Sequence, residues 1–108
     1  MLPYTVDEIK RRITPVARKY RLAAVYLFGS YARGEATGES DVDLLVDLRG
    51  STAHGFLLGA LYTDLEEALE RSIDLVTVAS LEMPTTRRGQ LRFREAVARE
   101  RMMIYAAA

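Results

Sequence analysis

Two short apolar runs, Ala23 to Phe28 (AAVYLF) and Asp41 to Val46 (DVDLLV), flank a glycine-serine turn and leave this chain few choices of local architecture. The first is β-branched and aromatic and stops at Gly29, the pattern of a buried strand running into a tight turn. Ser30 has the chemistry to cap a brief helical turn through Tyr31, Ala32 and Arg33. A polar loop, Glu35 to Ser40, leads into the second run, which reads as another strand. Side chains alternate along a strand, so Asp41 and Asp43 share one face while Val42, Leu44 and Val46 point to the core.

A helix start leaves backbone N–H groups without intrahelical partners, and the local dipole favours an anion, so the Gly29-Ser30 turn is a ready phosphate cradle. Gly29 lacks the Cβ that would obstruct close approach. Two carboxylates on one side of a strand repel each other unless a cation or strong donors sit between them. Hard oxygen ligands at this spacing suit Mg²⁺, which takes one or two protein carboxylates and completes its octahedron with water and phosphate oxygens. Cradle and carboxylate pair together describe a site for a nucleoside triphosphate with its metal.

The rest of the chain supplies a frame for that stretch. Thr5-Val-Asp-Glu8 has the capping-box spacing, and Val6, Ile9, Ile13, Val16, Ala17 and Tyr20 recur at helical intervals, predicting a helix over about Val6 to Tyr20. Pro15 removes one hydrogen bond inside it, so a kink or break is expected near Thr14. His54 to Arg71 reads as a second helix, with Leu57, Leu58, Leu61, Leu65, Ala68 and Leu69 on its apolar face and Asp64, Glu66, Glu67 and Glu70 facing water. Ser72 to Val78 reads as a third strand. Asp74 lies inside it, and a carboxylate in a central strand is costly unless paired or metal-bound. An irregular connection over Ser80 to Arg87 precedes a last helix of about Gln90 to Glu100, whose candidate core contacts are Leu91, Phe93, Ala96 and Val97. Met102 to Tyr105 ends the pattern as a short edge strand or an apolar tail.

At 108 residues the chain is expected to form one domain, spanning 1–108. Its 49% hydrophobic and 28% charged residues are ordinary for a soluble globular protein, and the absence of cysteine excludes disulfides and thiolate metal sites. His54 is the single histidine, which argues against zinc. No apolar run approaches bilayer-spanning length, so the expected location is cytoplasmic, with no membrane partner. The net charge is zero but unevenly spread: residues 35–82 carry two basic and eleven acidic side chains between basic ends. An acidic centre fits a metal site better than a nucleic-acid groove, so no direct nucleic-acid binding is expected.

Gly-Ser alone is commonly just a turn, and Asp-x-Asp alone commonly a solvated strand end. Their combination is specific: strand, Gly-Ser, helical turn with Arg, polar loop, Ser-Asp-x-Asp at the head of a second strand. Gly29, Ser30, Arg33, Gly34, Ser40, Asp41, Asp43 and Leu44 in this arrangement resemble the nucleotidyltransferases of the DNA polymerase β superfamily, and most closely their minimal, single-domain MNT family. The resemblance implies an α/β fold, the minimal polymerase-β-like core with a small mixed sheet and helices packed on one face. It implies Asp41, Asp43 and Asp74 as catalytic metal ligands for Mg²⁺, two ions in the reactive complex, with ATP as substrate. Gly29, Ser30, Arg33 and Ser40 become the nucleotide-binding set, Arg33 being either a phosphate contact or a merely solvated arginine. The MNT family also implies a HEPN-family toxin as partner and AMP transfer to a toxin tyrosine. The alternatives it leaves are an antitoxin that acts by binding alone, and transfer to a small molecule.

Overall fold

The computed structural model describes residues 3–108. Helix α1 (Val6–Lys19) opens on Thr5, whose hydroxyl accepts the Glu8 backbone N–H at 3.1 Å. Glu8 does not complete the capping box; its carboxylate pairs instead with Arg12 at 3.2 Å, one turn on. The helix runs unbroken through Pro15, against the expectation of a break. In that turn the Thr14 hydroxyl donates to the Lys10 carbonyl at 2.6 Å, and Ile13 and Ala17 on either side are fully buried, so tertiary packing holds the helix across the proline.

Strands β1 (Ala24–Phe28), β2 (Val42–Asp47), β3 (Ile73–Thr77) and β4 (Met102–Ala106) form one mixed sheet in the order β3-β2-β1-β4. β1 runs antiparallel to β2 and β4, whereas β2 and β3 are parallel. A parallel step needs a crossover, which helix α3 (Leu57–Leu69) provides. It starts later than His54 because Gly55 takes a left-handed φ of 58°, which no α-helix continues. The terminal apolar run is the edge strand of the two options, pairing with β1 and burying Ile104.

Alternation along the strands decides what each face meets. Val25 and Leu27, then Val42, Leu44 and Val46, then Ile73 point to one side, where Ile9, Ile13 and Ala17 of α1 and Leu61, Leu65 and Leu69 of α3 close over them. Each of the three fully buried α3 leucines contributes about 2 kcal/mol of apolar burial. The reverse pleat presents Phe28 and Leu45, and Val97 of helix α5 (Arg88–Glu100) packs on both. Helices therefore lie on both faces of the small mixed sheet, a correction to the one-face expectation. Phe28 and Leu45 are too apolar to leave wet, and α5 supplies their cover. A short helix α4 (Val78–Leu81), capped by the Thr77 hydroxyl accepting the Ser80 N–H, occupies the start of the segment expected to be irregular. Among the described residues no helix is long and apolar enough to cross a membrane.

Candidate active site

The reverse face is where the acidic residues gather. Asp43 is the residue of β2 that opposes Phe28 of β1 on one side and Asp74 of β3 on the other. In-register partners on neighbouring strands share a face, so the two carboxylates converge on one cleft. Burial, then the charges of Asp74 and Asp41, push the Asp43 carboxyl up to about 6. Asp41 lies just before β2 and is exposed. It bears on Asp43 electrostatically, but among the described residues no three carboxylates form a ready-made metal cage.

Helix α2 (Gly29–Arg33) starts directly from the end of β1. Gly29 has φ +71°, and a Cβ there would overlap the Asp43 carboxylate, with Cγ of Asp43 only 2.9 Å away. Both facts demand glycine. The cap position is Phe28, which offers no side-chain hydrogen bond, so the expectation that Ser30 caps this turn is corrected: Ser30 is inside the helix and lines the cleft. That cleft, of about 500 Å³, joins Gly29, Ser30, Arg33, Asp43 and Asp74 to an apolar wall from β3 and α5.

Arg33 stands at the cleft edge but is already engaged. Its Nε donates to Glu35 at 2.6 Å, and Nη1 donates to both oxygens of Glu100 at 2.9 and 3.1 Å. Those carboxylates hold the guanidinium above its ordinary pKa, through Glu35 first and Glu100 second. Ser40 is placed elsewhere: its hydroxyl accepts the Thr37 N–H at 2.8 Å and braces the 37–40 turn, in a shallow groove shared with Asp41 rather than in the cleft. Sequence reading missed Glu100 and the wall residue Phe93 as cleft groups. Their only signal was helical periodicity, which marked Phe93 as core and said nothing of a contact between residues 33 and 100.

Asp64 and Asp47 are engaged by basic partners. Asp64 accepts from Lys19 at 2.8 Å and from the Tyr20 hydroxyl at 2.7 Å. Asp47, buried at the far end of β2, is chelated by Arg49. A second cavity of about 470 Å³ opens beside that pair, lined also by His54, Thr77 and Glu82, but its Asp47 is already engaged by Arg49. Among the described residues, only the Asp43–Asp74 corner combines acids paired in register, an elevated pKa and room for a ligand. Its donors are hard oxygens, and the chemistry of that set fits Mg²⁺ with phosphate oxygens completing the shell.

Residues 9–99 match the model of the nucleotidyltransferase domain. This chain belongs to that family. It is 37% identical over 89 residues to protein adenylyltransferase MntA of Thermococcus cleftensis, covering 75% of this chain and 85% of that protein. Among solved structures, it is similar to a chain of a toxin-antitoxin complex with AMP-PNP, at a TM-score of 0.65 and 24% identity, covering 91% of this chain and 73% of that one. It is also similar to a chain in the complex of the tri-AMPylated Shewanella oneidensis HEPN toxin with MNT antitoxin, at a TM-score of 0.62 and 20% identity, covering 95% and 74%. At such identities the likeness of the structures is one of fold; the minimal nucleotidyltransferase core is shown by a third solved structure, a minimal nucleotidyltransferase 30% identical at a TM-score of 0.65, covering 92% of this chain and 95% of that one. The enzyme class is nucleotidyl transfer.

Proposed function

We propose that this nucleotidyltransferase transfers AMP from Mg·ATP to a tyrosine of a HEPN-family toxin and acts as the antitoxin of the pair. The observation that carries the proposal is the convergence of Asp43 and Asp74 against the Cβ-less Gly29. A polymerase-like site needs two carboxylates on adjacent strands with a phosphate-binding turn beside them, and the register of Asp43 with Asp74 next to the Gly29-Ser30 turn supports that reading. The kinship with MntA supports a protein acceptor, and the likeness in fold to chains of toxin-antitoxin complexes supports a separate partner.

Asp43 and Asp74 would hold the metal, joined by Asp41 once substrate draws the three acids together. Bound Mg²⁺ supplies Lewis acidity that favours the ionised acceptor oxygen and offsets charge on the leaving pyrophosphate. The chain does the positioning. Gly29 and Ser30 receive the β and γ phosphates, and Arg33 turns from Glu100 to the same anion. Ser40 shapes the loop that delivers Asp41. The tyrosine oxygen attacks the α phosphorus, the α–β bridging P–O bond breaks, pyrophosphate leaves with the electron pair, and the hydroxyl proton passes to solvent.

Incubation with the HEPN partner, ATP and Mg²⁺ tests this. The partner's mass should rise by a multiple of one AMP, and it should stay inactive after separation. An antitoxin that only occludes its partner leaves the mass unchanged, and toxin activity returns on dilution below the dissociation constant. That result contradicts the proposal.

A further inference from the structure

The cleft has two unlike halves, and the chemistry above uses one of them. Its polar half holds Ser30, Arg33, Asp43, Asp74 and Glu100; the other half is a continuous apolar wall of Phe28, Val76, Phe93 and Ala96. Phe93 is 42% exposed, on the helix that buries Val97. Its ring meets Phe28 edge-on, with centroids 5.9 Å apart and planes at 79°. That contact fixes the ring while much of its surface stays open.

We infer that Phe93 is the stacking platform for the nucleobase, and that the cleft therefore takes purine nucleotides by their flat face rather than by their hydrogen-bonding edge. The inference rests on the proposed nucleotide site and extends it. A volume of about 500 Å³ falls in the range of ligand sites that enclose a molecule of nucleotide size. With the phosphates held at Gly29 and Asp43, the base has to lie towards the remaining wall. That wall offers an aromatic face and aliphatic surface, which reward π area. The polar side chains that line this cleft sit in its acidic half, whereas Ser80, Gln90 and Arg94 line a separate groove that shares Phe93 and Val76 with it. Stacking without edge readout favours purines over pyrimidines and separates adenine from guanine poorly.

The chain contains no tryptophan, so Phe93→Trp places a single indole at the platform, which is excited selectively at the red edge beyond its six tyrosines. With Mg²⁺ present, the ATP analogue AMP-PNP should quench its emission. Inorganic tripolyphosphate should compete for the acidic half without quenching. By calorimetry on otherwise unaltered protein, Phe93→Leu, which keeps apolar contact with Phe28, should weaken AMP-PNP about tenfold and leave tripolyphosphate within about twofold. ATP and GTP analogues should bind within about threefold of each other and a CTP analogue several-fold more weakly. Equal losses for AMP-PNP and tripolyphosphate in Phe93→Leu would show a structural role and overturn the inference. So would unchanged AMP-PNP affinity, including the case in which the variant loses only toxin binding. Wild-type protein that binds neither ligand overturns the nucleotide site as well, which separates the two failures.

Discussion

Strand β2 places aspartates four residues apart on one face, Asp43 near its start and Asp47 at its end, and their surroundings could hardly differ more. Asp47 is the more buried, 5% exposed, yet its pKa is held below the ordinary carboxylate value. The cause is Arg49, whose Nε donates to both carboxylate oxygens at 3.1 and 3.0 Å and whose Nη2 donates at 2.6 Å, helped by the Arg49 backbone N–H at 3.1 Å. At Asp43 burial, and after it the charges of the facing Asp74 and of Asp41, raise the pKa to about 6. Arg33, the cation that does lower it, is committed to Glu35 and Glu100. Burial raises both acids, but at Asp47 the Arg49 hydrogen bonds outweigh it, whereas at Asp43 the facing carboxylates add a repulsion that a bound cation would relieve.

The largest effect that separates the two is on transfer. Asp43→Asn or Asp74→Asn should reduce labelled-AMP incorporation into the partner by at least about 100-fold, whereas Asp47→Asn should cost less than about tenfold. Comparable losses at positions 43 and 47 would erase the distinction.

Next in size is the stability carried by the satisfied acid. Asp47→Ala should cost about 2 kcal/mol and lower the melting temperature by about 10 °C. Because the native pKa of Asp47 is lowered, its stabilisation is fully present above the ordinary carboxylate pKa and fades as pH falls through the lowered value. Wild type and Asp47→Ala should therefore converge in strong acid when their melting curves are compared across pH.

The smallest effect has the opposite sign. A folded pKa raised to about 6 means that the native protein holds a proton the unfolded chain has released, so Asp43 costs the metal-free protein stability as pH rises from about 4 to about 6. After allowance for solvent screening of a half-exposed group, Asp43→Asn should gain about 1 kcal/mol at pH 7 and a few degrees in melting temperature without metal. The gain should vanish below pH 4. Destabilisation by Asp43→Asn at neutral pH would instead mark Asp43 as a structural group like Asp47.

This contrast shows what sequence carries and what it does not. Alternation over Asp41 to Val46 and the apolar run before Gly29 were sufficient to place two strands and their acids, because strand periodicity is local. Asp74 was recognisable because a charge inside a strand needs a reason. The chain did not reveal that Asp43 opposes Asp74 in register, nor that Arg33 is held by Glu100, since both depend on how distant segments pair. Ser40 carries the family motif but forms a turn with Thr37, and Ser30 lies beyond the capping position. Side-chain chemistry was legible at both serines, whereas the backbone position that decides its use was not. The one-face expectation for the helices failed for a related reason: only the strand pairing shows that Phe28 and Leu45 share the reverse pleat and need α5 to cover them.

The central claim is that the Asp43–Asp74 corner is a metal-dependent nucleotide site, and calorimetric titration of wild-type protein with AMP-PNP, with Mg²⁺ or with chelator, tests it most directly. Affinity should be at least about tenfold higher with Mg²⁺ and should fall as pH drops below about 6, where a proton on Asp43 competes with the metal. Equal affinity in Mg²⁺ and in chelator, or a pH profile flat through 6, would contradict it.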